Sequence, residues 1–413
     1  MDARVIYFVL LFILSLGFAW ERVLEYLNMK QMSPVLPESL KGIYEEGEYQ
    51  RFQNYKRENN RLDGWSSTFG FLLMMGFLAA GGFGWYNDWV VSLTGNTILQ
   101  TLLFVMGLSF VSSLLDIPFD YYTTFSIEER YGFNKTTRAT YWWDIIKGAF
   151  VSLVLGGVLL SLLVWFYTWA GEFFWLYGWG AVTLFSLFMS LFYSRLIVPL
   201  FNKQTPLEVG SLRDKIEAFA AEAGFALGAI YVIDGSKRST KANAYFTGFG
   251  SQKRVVLYDT LIRELSEEEV VAVLAHEIGH YKKHHTWKGM AVSVVQVGVL
   301  LWFFSLCVNY PGLSMALGGE QAYFQLGLVA FAILYAPISA LMGVVMNRWS
   351  RKNEYEADAY AATHGCGEYL VSGLKKISVR ALGNLTPHPL YEYVNYSHPS
   401  LLKRINRIVN RKL

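Results

Sequence analysis

Cysteine is nearly absent from this chain. It has two in 413 residues, Cys307 in an apolar run and Cys366 in a polar one. Two thiols in such unlike surroundings exclude a disulfide framework and a cysteine-based metal site, and both read as ordinary thiols. Charge is scarce too: 17% of residues are charged against 53% hydrophobic, too few to clothe a soluble protein, which points to a membrane protein. The net charge of +3 is too small to argue for a nucleic-acid partner. The first apolar run is expected to be an uncleaved span rather than a leader. The stretch before the first apolar run holds only Arg4, no small-x-small site follows, and "FAWERVLEYL" continues the run as a helix.

What the chain does have is long apolar runs. Seven are long enough to cross a bilayer, which takes about 20 helical residues: 5–20 (extendable to 24), 66–87, 98–118, 145–168, 174–200, 289–308 and 322–346. Lysine and arginine alternate between the connections. Seven of them lie in 21–65 and Arg130, Lys135, Arg138 and Lys147 lie in 119–147, whereas 88–97, 169–173 and 309–321 have none. This bias predicts an N-terminus outside and both large polar regions in the cytosol. The organisation expected is five spans in 1–200, a cytosolic region 201–288, two spans in 289–346 and a cytosolic C-terminal region 347–413.

The polar regions carry a small α+β pattern. Leu212, Ile216 and Phe219 are spaced for a helix in 210–225, and 229–234, 243–249 and 254–259 read as short strands, the last two as a hairpin. Ser266 and Glu269 have capping-box spacing, which starts a helix over "SEEEVVAVLAHEIGH".

That helix carries H-E-x-x-H. His276 and His280 fall on one face, able to share one Zn2+, and Glu277 beside them is placed to take a proton from the attacking water. A catalytic zinc needs a third protein ligand. The metzincin position for it is Thr286, which excludes that form. Charge at "SEEE" and "YKKHH" on both sides of the motif disfavours a site inside the lipid.

Antiparallel geometry suggests the missing ligand. If the motif helix runs on into 289–308, and 322–346 runs on into "NRWSRKNEYEADAYAA", residues equidistant from the 309–321 turn face each other. The midpoint of His276 and Glu354 is 315, and that of His280 and Glu354 is 317, both inside that turn. Glu354 is therefore expected to face the histidines. Asp358, one turn on, suits acceptance of the free N–H of a ligating imidazole. Glu356 lies about 200° around the helix from Glu354 and is expected to be uninvolved.

"LAHEIGHYKKHHT", "SRKNEYEADAYA", "KANAYFTGFGSQKRVVLYDTLI", "FSIEERYGFNKTT" and "HPSLLKRI" together resemble the Ste24-type integral-membrane zinc metalloproteases, the CaaX prenyl proteases, over almost the whole chain. The resemblance implies an all-α membrane protein: seven helices in a barrel around a large water-filled chamber, with a small cytosolic α+β protease domain. It implies one Zn2+ on His276, His280 and Glu354 with Glu277 as catalytic base. Asn243, Ala244 and Tyr245 match the strand edge that binds substrate backbone, and His398 and Arg404 match residues near the developing oxyanion. The partners implied are the lipid bilayer and peptide or membrane-protein substrates, prenylated CaaX C-termini among them.

One departure shifts the physiology. Ala242 stands where members that process prenylated proteins tend to have serine, which points to a bacterial cytoplasmic-membrane member and to clearance of damaged membrane proteins as the alternative job. The rival of another class is a transporter or lipid-binding protein with a non-catalytic metal site. Glu277 argues against it, since such a site has no use for a base.

Overall fold

The structure is a computed structural model that describes residues 2–32, 35, 38, 41–43, 45–247 and 254–410. It opens with α1 (Ala3–Lys30), capped by Asp2, whose carboxylate accepts the Arg4 N–H at 2.9 Å. The region 66–87, expected as one straight span, is instead broken. α2 (Glu46–Ala79) and α3 (Gly82–Leu93) meet at 68°. Gly81 takes the left-handed conformation there (φ 67°), which interrupts the helical hydrogen bonds. Gly84 then presses backbone to backbone on Gly318, where a Cβ would lie 2.7 Å from the Gly318 oxygen.

α4 (Thr97–Tyr122) runs beyond the predicted 118 into a π-helical turn, Thr123–Glu128. Glu128 at its end accepts the Tyr55 hydroxyl at 2.6 Å and pairs with Lys241 at 3.0 Å, so this turn ties α2 to the loop before the third strand. α5 (Arg138–Ala170) is followed by α6 (Phe174–Leu196) and the short α7 (Val198–Phe201). Gly171 (φ 54°) ends α5, and α6 folds back along it: Tyr177 packs on Phe166 and Trp169, and Gly178 lies against Leu163.

The sheet is β1 (Gln204–Pro206), β2 (Ala229–Ile233), β3 (Ala244–Thr247) and β4 (Arg254–Tyr258), in spatial order β1-β2-β4-β3. β2 and β4 run parallel, and the other two pairs are antiparallel. The expected hairpin of β3 and β4 is present; residues 248 and 249 of the predicted strand, and the turn after them, lie outside the described residues. β1 has no counterpart in the sequence pattern, since three residues ending in proline carry no period-2 signal. β3 is an edge strand, packed against α6 on one side.

α8 (Ser211–Glu222) matches its sequence pattern. After α9 (Asp259–Glu264), α10 (Glu267–Lys282) starts with the capping box: Ser266 Oγ accepts the Glu269 N–H at 3.3 Å, and Glu269 accepts the Ser266 N–H at 2.8 Å. Ile216, Val255, Leu257, Val270, Leu274 and Ile278 form the core that seats α10 on α8 and the sheet. α10 does not continue into the next span. It stops, His284 turns left-handed (φ 57°), and α11 (His285–Cys307) starts afresh. α12 (Pro311–Ala316) fills the turn, and α13 (Phe324–Thr363) runs unbroken for 40 residues, as expected. α14 (Gly367–Arg380), α15 (Pro389–Asn395) and α16 (Leu401–Val409) complete the chain.

Among the described residues, five helical stretches are long and apolar enough to cross a membrane, or six if the bent α2–α3 pair is one span. Their outer faces are apolar side chains left exposed, such as Phe8, Phe12, Leu72, Phe150 and Leu341. A bilayer accounts for that exposure.

Candidate metal centre

Two helices build the site. α10 and α13 cross at Gly279 and Ala357, where a Cβ added to Gly279 would come within 3.0 Å of the Ala357 Cα and the Tyr360 Cβ. The glycine inside the motif therefore lets the backbones approach closely enough for short side chains to meet. His276 Nε2 lies 3.2 Å from His280 Nε2 and 3.5 Å from a Glu354 oxygen, and His280 Nε2 lies 3.3 Å from the other Glu354 oxygen. His276 and Glu354 are buried, and His280 is partly so. One donor atom from each of the three falls within 4.8 Å of the others, which is the arrangement a single small cation needs.

The donor set fits a metal on two further grounds. Glu354 Oε2 is buried and has only ion-pair contacts, with His276, His398 and Arg404 at 3.1–3.6 Å, none of them with hydrogen-bond geometry, although buried carboxylate oxygens are normally satisfied. Burial disfavours a charge on His276, but the Asp358 and Glu354 carboxylates outweigh it and lift its pKa to about 9. The pocket thus concentrates negative charge that calls for a cation.

Around these three, each imidazole is oriented through its other nitrogen. His276 Nδ1 is 2.9 Å from Asp358 Oδ1, so its N–H is held there and Nε2 faces the cluster. Asp358 in turn is gripped by Arg404, whose Nε and Nη2 donate to its two oxygens at 2.9 and 2.6 Å. Arg404 Nη1 remains, 3.6 Å from Glu354 Oε2. His398, largely exposed, reaches the same oxygen at 3.1 Å through Nδ1. Glu277 is half-buried beside the cluster and makes no hydrogen bond or ion pair among the described residues, so its carboxylate is free for other work.

Sequence reasoning missed one partner altogether. His285 Nδ1 lies 3.1 Å from His280 Nδ1, and its Nε2 lies 3.1 Å from Glu356. Glu356 is therefore involved after all. The break at His284 is the cause: a continuous helix would carry His285 away from His280, whereas the left-handed turn brings it back. The doublet His284-His285 was the available signal.

The strand residues sit apart from this cluster, on the edge of the sheet. β3 lies against α10, and its outer edge has no strand partner among the described residues. Asn243 is exposed and its Oδ1 accepts the Ala244 N–H at 2.8 Å. Tyr245 turns towards a cavity of about 660 Å³ that Met189, Tyr193, Phe201 and Tyr258 also line.

Comparison with known proteins agrees with the geometry. Residues 25–203 match the CAAX prenyl protease N-terminal family, described as having five membrane helices, and residues 206–412 match peptidase family M48. A CAAX prenyl protease 1 homolog of Arabidopsis thaliana is 35% identical, covering 93% of each chain. CAAX prenyl protease 1 of Saccharomyces cerevisiae is 32% identical over 95% of this chain and 92% of its own. The crystal structure of S. mikatae Ste24p superposes with a TM-score of 0.92 at 30% identity, covering 98% of this chain and 99% of the other. The chain belongs to the Ste24, or CAAX prenyl protease 1, family of M48 peptidases, and is a multi-pass membrane metalloendopeptidase.

Proposed function

We propose that His276, His280 and Glu354 hold one zinc ion at the cytosolic edge of the membrane, and that a peptide lying along β3 is cut there. The observation that carries this reading is the three-residue cluster, two of whose members lie on α10, the helix that the open edge strand β3 packs against. When bound, zinc supplies a Lewis acid that polarises the scissile carbonyl and makes water a better nucleophile at neutral pH. Glu277, free of other partners, takes the proton from the attacking water and returns it to the leaving amine. The β3 edge, from Asn243 through Ala244 and Tyr245, offers main-chain hydrogen bonds that hold an extended peptide whatever its side chains. His398 and the Nη1 of Arg404 are the donors left to meet charge on the tetrahedral oxygen.

Proton placement accounts for the outer partners. With the His280 Nδ1–H donated to His285 Nδ1, and the His285 Nε2–H donated to Glu356, every donor has an acceptor and the His280 Nε2 lone pair faces the cluster. His285→Ala should weaken zinc binding by roughly 10–100-fold. His285→Gln, whose carbonyl can still accept from His280, should recover part of that loss. Competition against a chromophoric chelator measures both; equal losses would mean that His285 merely fills space.

For the membrane part, the proposal is seven spans arranged as a barrel around a water-filled chamber. Its supports are the α5–α6 hairpin at Gly171, the bent α2–α3 pair, and Asp116 and Asp120, exposed one turn apart near the end of α4. Carboxylates there are costly against lipid and belong in water. The protease region 201–288, the spans of 289–346 and the C-terminal region 347–413 then follow the charge alternation, with the N-terminus outside. In a Cys307→Ser/Cys366→Ser background, an impermeant thiol reagent applied outside cells should label cysteines placed at Gly95 or Glu320 and miss one at Glu368. The reverse pattern overturns the topology.

The substrate reading that fits best is a prenylated CaaX C-terminus, because the cavity at Tyr245 lies beside the peptide edge and is lined chiefly by apolar and aromatic side chains. Ala242 favours the second reading, a bacterial quality-control protease acting on misinserted membrane proteins. Purified protein given a farnesylated CaaX peptide and its unprenylated twin decides between them. Preference for the farnesylated peptide supports the first, equal cleavage the second, and cleavage of neither refutes both.

A further inference from the structure

α1 and α2 line a second cavity, of about 470 Å³, with Arg22, Glu25 and Tyr26 of α1 and Asn60, Arg61 and Trp65 of α2, among others. Three of these residues carry a buried polar atom without a hydrogen-bond partner: Arg22 Nε, Glu25 Oε2 and Asn60 Oδ1. Unpaired buried groups are rare because each forfeits its hydration, so three on one cavity wall mark a place where something polar belongs. The set is specific in kind. It offers one unmet donor, on a guanidinium, and two unmet acceptors, one of them a carboxylate.

Position in the membrane narrows the occupant. Arg22 lies about 19 residues into α1, roughly 30 Å along it, which is the thickness of the hydrocarbon core. On α2 the charged segment gives way to the apolar one within the cavity's own wall, between Arg61 and Trp65. Tyr26 and Trp65 are 64% and 65% exposed there, as aromatic side chains at headgroup level are. Arg22, Arg61 and Glu25 share the cavity's lining, and Asp63, outside that lining, lies close enough to feel both Arg22 and Glu25. Two positive side chains and one carboxylate in the lining, with a second carboxylate close behind, suit a zwitterion better than an anion.

We propose that this cavity binds the phosphoethanolamine head of a membrane phospholipid, the phosphate taken by Arg22 and Arg61 and the ammonium by Glu25 and Asn60. The primary ammonium matters, since it brings N–H donors to the two unmet acceptors and a choline head brings none. The lipid's chains then lie along the apolar faces of α1 and α2 outside the cavity. Glu25 keeps its other oxygen for the Tyr391 hydroxyl, at 2.8 Å, so occupancy need not disturb that contact.

The test is native mass spectrometry of the purified full chain in detergent, titrated with phosphatidylethanolamine or phosphatidylcholine of the same acyl chains. The ethanolamine lipid should be held about tenfold more tightly, the worth of one charge-assisted hydrogen bond. Glu25→Gln should erase that preference and leave the choline lipid unchanged, while Arg22→Gln should weaken both. Should Arg22→Gln fail to fold, the Glu25 variant decides alone, because its isosteric amide still accepts from Tyr391. Soluble glycerophosphoethanolamine should not compete; full competition would assign the cavity to soluble phosphoesters and overturn the lipid proposal. Equal retention of the two lipids by the unaltered chain would overturn it as well.

Discussion

Glu277→Gln should keep its metal and lose turnover by roughly a hundred- to ten-thousand-fold, the usual worth of a positioned general base. Glutamine has the shape of glutamate but cannot take a proton, and no other contact is lost, because Glu277 makes no hydrogen bond or ion pair among the described residues. Its neighbours His276 and Ile278 keep α10 seated. Metal analysis beside a peptidase assay separates the two outcomes. Full activity in the metal-loaded variant would remove Glu277 from the chemistry and reopen the reading of a non-catalytic metal site.

Glu354→Ala should lower zinc affinity by more than about 100-fold, beyond what loss of an outer partner brings. It removes one of three candidate ligands, and with it the carboxylate that His276, His280, His398 and Arg404 all approach. The proper comparison is Glu368→Ala, on exposed ground at the start of α14, which should change nothing. Glu356→Ala is not a neutral control, since Glu356 holds His285 and His285 meets His280; it should fall between the two. Zinc content after dialysis against a weak chelator gives the ranking. Equal retention by the Glu354 and Glu368 variants would place the third ligand elsewhere.

The route to Glu354 shows what a sequence can carry. The spacing of His276 and His280 is local, fixed by helical pitch, and could be read directly. Glu354 lies 74 residues beyond His280, and nothing local links the two; only the continuation of two helices from a shared turn would bring them together. α13 does continue, but α10 does not, and the approach survives because Gly279 and Ala357 bring the helices together anyway. The same break produced what was missed. A histidine in the left-handed conformation has no signature in hydropathy or charge, so the doublet alone hints at His285 and nothing in the sequence turns it back onto His280. The bend at Gly81 was hidden for a related reason: "AAGG" reads as apolar, and only contact with Gly318 explains why it must turn. Arg404, matched by resemblance to the developing oxyanion, also proves to clamp Asp358, a tertiary contact that no periodicity reports.

The central claim is that this chain's two histidines and one glutamate make a zinc site. X-ray absorption at the zinc edge of the purified, metal-loaded protein tests it most directly. The account predicts two imidazole nitrogens and carboxylate oxygen, all at about 2.0–2.2 Å, and no sulfur. A spectrum requiring a sulfur ligand at about 2.3 Å, or fitted without imidazole scattering, would contradict it.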